Sequence, residues 1–282
     1  MMLSVMKRST LHPVSRRAYS ICTDKVLSVY PKAIPNKELI NKVSSALAKH
    51  GYGPSTLVAT SLCCDEVNRV LEHDFAAVYG PTFSMGGLSG FPFGGITSFG
   101  SFASHIPDGG DCLVIFGPHV GIDQDGTVGK INRRGVALSN PCCGSACVAA
   151  GHVACAMKGE GSPLSMDVTD AQQTFVNNLL LPYGERLDKA EDVMAELPLA
   201  LFDAQRKVMD QILAKGCQFV AGSGRIALLG GIQINTPEEE SDYFLPLLFE
   251  LRSNKNEKIA ELHLSDEVEN SGISGYMKKL YS

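Results

Sequence analysis

The chain has 282 residues, 44% of them hydrophobic, and a formal net charge of -5. That is enough apolar material for one substantial core, without the basic surplus that neutralising nucleic-acid phosphates requires. No stretch approaches the roughly 20 consecutive apolar residues of a membrane-spanning helix, so the expectation is a soluble protein with neither nucleic acid nor a membrane span among its partners.

Residues 1 to 23 carry Lys7, Arg8, Arg16 and Arg17, several Ser and Thr, and no acidic residue. This is transit-peptide composition. Arg17-Ala18-Tyr19-Ser20 also resembles a mitochondrial processing site, so the expected address is the mitochondrial matrix, with a plastid as the alternative. Residues 1–25 are therefore read as a leader outside the fold, 26–253 as a single domain, and 254–282 as a loosely held polar tail.

After Pro35, Asn36 is expected to cap a helix whose apolar residues Leu39, Ile40, Val43, Ala46 and Leu47 follow helical spacing up to Gly51. Residues 56–62 form a short, uncharged, β-prone run that ends at Cys63. Asp65 and Glu66 suit the first turn of a following helix, with Val67, Val70 and Leu71 facing inward. Residues 80–110 interleave glycines with Phe83, Phe91, Phe93, Phe99 and Phe102 in a closely packed loop system. A second buried strand, 112–116, runs through Gly117-Pro118 into His119.

Asp125-Gly126, between Ile122 and Val128, predicts a tight hairpin turn. Cys142-Cys143-Gly144 opens a small-residue helix to about Met157, on which Cys147, His152 and Cys155 are read as core residues. Residues 169–215 read as two or three helices, with Pro182 and Pro198 as breaks and Gly216 as the stop. Residues 225–234 return to strand character, and 243–251 form a last strand or helix. Gly222-Ser223-Gly224 is no phosphate loop, because it precedes a strand rather than leading from one into a helix. Apolar strands alternating with helices predict an α/β domain: a mainly parallel β-sheet flanked by helices on both faces.

Ligand sites in such sheets form beyond the carboxyl ends of strands, where this reading places both Cys63 and His119. The nine cysteines are an odd number in a chain without a secretory signal, which argues against a disulfide scaffold and leaves core thiols or ligands. A catalytic zinc takes three protein ligands from sulfur, nitrogen or oxygen donors and keeps one open position. Cys142 and Cys143 are candidates for the third ligand, because backbone amides at a helix start favour a thiolate. The chemistry leaves Cys63 or Cys64, and Cys142 or Cys143, open. A thiol redox protein built on either cysteine pair lacks the Cys-x-x-Cys motif that would support it.

Cys63-Cys64-Asp65 resembles the Cys-x-Asp element of β-type carbonic anhydrases. The segments 87–95 (GLSGFPFGG), 105–110 (HIPDGG), 117–121 (GPHVG), 228–237 (LLGGIQINTP) and 242–246 (DYFLP) resemble the limiting-CO2-inducible protein B family, in order, across roughly residues 35–252. The resemblance implies a β-carbonic anhydrase-like fold, usually as a homodimer, and a Zn2+ held by Cys63, His119 and Cys143, with Asp65 as acidic partner. It implies interconversion of CO2 and bicarbonate by attack of zinc-bound hydroxide on CO2, with a catalytically silent regulatory subunit as the alternative. Wider β-type enzymes place an arginine two residues after the Asp, where this chain has Val67. Arg134 is the expected substitute, ahead of Arg69. His105 is a candidate proton shuttle, His73 a surface residue, and the Phe- and Gly-rich stretch 87–102 a candidate wall for the CO2 pocket.

Overall fold

A computed structural model describes residues 15–160 and 163–264, so most of the expected leader lies outside the described residues. The chain runs α1 (Ser15–Val29), β1 (Ile34–Pro35), α2 (Asn36–Ala48), β2 (Leu57–Ser61), α3 (Arg69–Tyr79), β3 (Phe83–Ser84), α4 (Gly95–Ser104), β4 (Cys112–Phe116) and β5 (His119–Gly121). It continues through β6 (Lys130–Ile131), β7 (Asn140–Pro141), α5 (Gly144–Met157), α6 (Ala171–Leu180), α7 (Gly184–Asp188), α8 (Val193–Gly216), β8 (Arg225–Asn235), β9 (Tyr243–Ser253) and β10 (Lys258–Glu261).

The main sheet has the order β1-β9-β8-β4-β2-β3, with β10 on β9 and β5 on the far half of β8. The pairs β2·β3, β2·β4, β4·β8 and β5·β8 are parallel, and β9 is antiparallel to β8, β1 and β10. This is the mainly parallel, helix-flanked α/β sheet that the alternation predicts. Strand alternation divides the core between two faces. From β4, Cys112, Val114 and Phe116 pack with α4 and α8 residues such as Phe99, Phe102 and Phe202, while Leu113 and Ile115 pack with Leu39, Val43, Leu71 and Phe75 of α2 and α3. A third cluster gathers α5 to α8 around Phe91, Cys63 and Cys143.

Several local expectations are corrected. Helix α1 crosses the boundary expected at residue 25, and Cys22 and Val26 are fully buried in the first core cluster. Pro35, not Asn36, is the N-cap of α2; the Asn36 side chain is buried with both polar atoms unpartnered. A single 3-10 turn, Glu66–Asn68, precedes α3 and rotates its inward face onto Leu71, Phe75, Val78 and Tyr79, which leaves Val70 exposed. Pro198 lies inside α8: the Asp192 carboxylate caps the Met194 and Ala195 amides, and the helix runs on through the proline. The polar tail begins with an ordered strand, since β10 pairs with β9 and Leu262 is buried. The Asp125-Gly126 turn is as expected, with Ile122 bridged to Val128 and Gly126 at φ 77°.

Candidate metal centre

The carboxyl ends of β2 and β4, the start of β5 and the start of α5 converge on one point. Beyond β2, Asp65 caps the Glu66–Asn68 turn by accepting from the Val67 amide. Arg69 turns back to donate to the Cys63 carbonyl and pairs with Glu72. Arg69 thus fixes the Cys63 backbone rather than serving Asp65.

Strand β4 leaves the sheet at Gly117-Pro118, and the chain re-enters alongside β8 with His119 opposite Gln233. Gly117 permits the crossing because a Cβ there would overlap the Gly231 backbone. Gly90, at φ 80°, packs against the Gly117 carbonyl oxygen in turn. Cys143 is the N-cap of α5. Cys142 is tied to the β5 side by its amide to the Gly129 carbonyl and its carbonyl to the Gly121 amide.

Cys63, His119 and Cys143 come together with their donor atoms mutually within 4.8 Å, and all three are buried. Cys63 Sγ and Cys143 Sγ are 3.7 Å apart, far beyond a disulfide bond. Two thiolates on one tetrahedral zinc at about 2.3 Å each are separated by about 3.7 to 3.8 Å, so the sulfur spacing fits a shared ion. The donor chemistry agrees: His119 Nε2 is buried without a hydrogen-bond partner, an unusual state for a native polar atom, while Nδ1 lies 2.8 Å from Asn235 Oδ1.

The adjacent cysteines separate on position. Cys64 is exposed. Cys142 Sγ lies 3.5 Å from Nδ1, the nitrogen already engaged by Asn235. A second group, Asp65, His119 and Cys142, also has its donor atoms within 4.8 Å, but it would have to compete with Asn235 for Nδ1 and with arginine for Asp65.

The hydrogen bond between Cys63 and Cys143, with burial, pushes the Cys63 thiol up. The same bond and the charge of His119 outweigh burial to hold Cys143 well below the usual thiol range. At His119, burial is more than offset by Cys143 and Cys142, which hold the imidazole well above its ordinary value. Burial, the sulfur–sulfur contact and the imidazole thus act on one another, with Cys63 held toward its thiol and Cys143 toward its thiolate.

The arginine that meets Asp65 is Arg133, one residue before the expected Arg134. Its Nη2 reaches Oδ1 at 3.0 Å and Oδ2 at 2.7 Å, and its Nε reaches Glu66 at 2.8 Å. Arg134 is exposed. Burial opposes the charge on Asp65, and contacts with Glu66, His119 and Arg133 outweigh it, so the carboxyl stays below its usual range.

Sequence reasoning missed Ser89, Asn235 and Asp242 as site residues, although all three lie in the segments that carry the resemblance. Ser89 is buried at φ 52°, its Oγ 3.7 Å from Cys143 Sγ and 3.0 Å from Ser145 Oγ. Its carbonyl accepts from the buried Gln205 side chain.

Of the phenylalanines in 87–102, Phe91 joins the cluster of Cys63 and Cys143, whereas Phe99 and Phe102 belong to another core and wall no part of the site. Phe91, Phe93 and Phe175 form an aromatic group lining an apolar cleft of about 270 Å³. On another side, a polar cavity of about 740 Å³ is lined by Val67, Arg133, Asn235 and Asp242. His105 is exposed against Phe83, and His73 is exposed. On α5, Cys147 and His152 are partly buried and Cys155 is exposed; they are not core residues, because only the Ala146, Ala149 and Val153 face is covered by the described residues.

A family model for limiting CO2-inducible proteins B/C beta carbonic anhydrases matches residues 33–253. The crystal structure of PtLCIB4, described as a homolog of the limiting CO2-inducible protein LCIB, is 47% identical with a TM-score of 0.81, and the match covers 85% of this chain and 99% of that one. The structure of LCIB is 20% identical with a TM-score of 0.66, covering 89% of this chain and 100% of that one, a likeness of fold. No curated protein sequence matches the chain.

Proposed function

The chain belongs to the limiting CO2-inducible protein B/C family of β-carbonic anhydrases, and from that premise we propose that it is a zinc-dependent carbonate dehydratase interconverting CO2 and bicarbonate. The single observation that carries this reading is the buried triad, with two sulfurs 3.7 Å apart and an unpartnered imidazole Nε2 beside them. Cys63, His119 and Cys143 would hold the ion. A zinc ion in such a site supplies Lewis acidity, which brings the ionisation of a water ligand toward neutral pH.

The remaining roles belong to the chain's own side chains. Arg133 keeps Asp65 ionised and, by gripping both oxygens, orients the carboxylate as a hydrogen-bond acceptor beside the triad. Arg69 fixes the backbone of Cys63. The Ser89 hydroxyl sits against the Cys143 sulfur and is positioned to hydrogen bond a thiolate there. The polar cavity beside Arg133 suits bicarbonate and protons, whereas none of Cys63, Asp65, His119 and Cys143 lines the apolar cleft at Phe91.

The near-complete burial of all three ligands also favours a second reading, a silent subunit that keeps zinc for structure. Zinc content per chain together with stopped-flow CO2 hydration between pH 7 and 9 separates the two. One zinc with hydration supports the enzyme, one zinc without it supports the silent subunit, and a chain that takes up no metal overturns both.

The reading extends to assembly and address. Helix α5 carries no charged side chain and leaves Val148, Cys155 and Met157 exposed. An uncharged, apolar helix with one open face fits a second copy of the chain across it, and a homodimer is proposed on that ground. A mitochondrial destination, with a plastid as alternative, is proposed on the basic, acid-free residues 1–23. No helix among the described residues is long and apolar enough to cross a membrane.

A further inference from the structure

Asn235 holds His119 from behind, and two other groups decide which way its amide points. Its Nδ2 lies 3.1 Å from the Val67 carbonyl oxygen and 3.0 Å from Asp242 Oδ2. The Val67 carbonyl can only accept, and although burial raises the Asp242 carboxyl above its usual range, the Thr236 amide and hydroxyl donate to its Oδ1 and its Oδ2 is left to accept from Asn235, so the NH2 end faces both. The opposite end, Oδ1, therefore faces His119 Nδ1 at 2.8 Å. A flipped amide would set its oxygen against two acceptors at once.

In the neutral imidazole that ligation requires, an acceptor in front of Nδ1 keeps the proton there and leaves the lone pair on Nε2, the atom without a partner. Cys142 Sγ shares the Nδ1 side at 3.5 Å and leaves Nε2 clear. Asp242 is itself anchored: its Oδ1 accepts from the Thr236 amide at 2.8 Å and from the Thr236 hydroxyl at 3.3 Å, in the connection between β8 and β9.

We infer that Asp242 is a positioning residue for the metal centre, which acts through Asn235 to fix His119 in its Nδ1–H form and so reserves Nε2 for the ion. Asp242 touches no ligand. The inference rests on the metal reading above and deepens it, because it names the device that selects one imidazole nitrogen over the other. A hydrogen bond from the second nitrogen commonly fixes the tautomer of a metal-binding histidine, and loss of such a partner typically weakens metal binding 10- to 100-fold.

Asp242→Asn tests it at nearly constant shape. The retained oxygen still accepts from Thr236, but the new NH2 confronts the NH2 of Asn235. Relief comes by rotating Asn235, which then donates to Nδ1 and drives the imidazole proton onto Nε2. Two readouts are expected to move together. Zinc affinity by chelator competition should fall by about 10- to 100-fold, and the protected Nδ1–H resonance of 15N-histidine-labelled, metal-free protein, recorded at a pH where the imidazole is neutral, should disappear. Asp242→Asn combined with Asn235→Asp restores an acceptor in front of Nδ1 and a donor behind it, with one oxygen now facing the Val67 carbonyl, and should recover the Nδ1–H resonance.

Wild-type zinc affinity and an intact Nδ1–H resonance in Asp242→Asn would overturn the inference. If the single variant does not fold, the double variant decides alone, and absence of the Nδ1–H resonance in a folded double variant overturns it equally. A wild-type chain that binds no zinc would sink the metal reading and the reserved role of Nε2 with it. The Nδ1–H resonance would still show separately whether Asp242 sets the tautomer.

Discussion

Arg133 meets Asp65 through one nitrogen shared between both carboxylate oxygens, at 3.0 and 2.7 Å, and spends its Nε on Glu66. The pair is mostly shielded, with side-chain exposures of 20% and 14%, so it is not an ordinary surface ion pair of negligible worth. Removing the guanidinium should leave Asp65 free to protonate or to turn toward the metal. Arg133→Ala is expected to lower kcat/KM for CO2 hydration by about 10- to 100-fold with zinc retained. Arg133→Lys should recover only part of this, since a point-charge ammonium does not reproduce a planar fork. Arg134→Ala, at an exposed neighbour, should stay close to wild type. Equal effects at 133 and 134 would refute the assignment.

Metal uptake should release protons. In the metal-free chain Cys63 is held protonated and His119 is pushed toward its charged form, while Cys143 is already depressed toward thiolate. Ligation requires the Cys63 and His119 protons to leave. The loaded state therefore binds fewer protons, and affinity must rise with pH, by between about 10- and 100-fold per unit while one or both protons are in place. Zinc titration in weakly buffered solution, followed by pH indicator and by calorimetry in buffers of different ionisation enthalpy, measures this directly. An affinity flat between pH 6 and 8 would contradict it.

Gly90 and Gly135 both adopt left-handed backbone, at φ 80° and 75°, but only Gly90 is crowded. A Cβ at Gly90 meets the Gly117 carbonyl, whereas at Gly135 it meets open space. Gly135→Ala should cost about 1 to 2 kcal/mol for the backbone alone. Gly90→Ala adds an overpacking term of about 1 to 3 kcal/mol. Urea denaturation of the two variants should separate them in that order.

Val148→Glu places a charge on the open face of α5, where Val148 is 56% exposed in the single chain. Sedimentation equilibrium should show the wild-type mass at twice that of the variant, with little change in chain stability. A monomeric wild type would remove the dimer from the proposal.

Much of this was legible in the sequence because the signals were local. Uncharged β-prone runs placed Cys63-Cys64 and His119 just beyond strand ends and Cys142-Cys143 lay at a helix start, while the choice of 63 and 143 within each pair came from the family resemblance. What was not legible depends on how separate segments turn toward each other. Arg133 and Arg134 are sequence neighbours, and the turn closed by Gly135 decides which guanidinium points at Asp65. Asn235 and Asp242 look like motif residues at a strand end and in a loop until the β8–β9 pairing brings them behind His119. Val70 was misplaced because the 3-10 turn before α3 shifts the helical phase. The exposed side of α5 escaped notice because an apolar helix reads as buried whether its own chain or a second copy covers it.

The most direct test of the account is zinc content after equilibrium dialysis of wild type and of Cys63→Ser, Cys64→Ser, Cys142→Ser and Cys143→Ser, measured singly by atomic emission. The account predicts one zinc per wild-type chain, loss of zinc in the variants at 63 and 143, and retention in those at 64 and 142. Zinc lost at 142 and kept at 143, or a metal-free wild type, would contradict it.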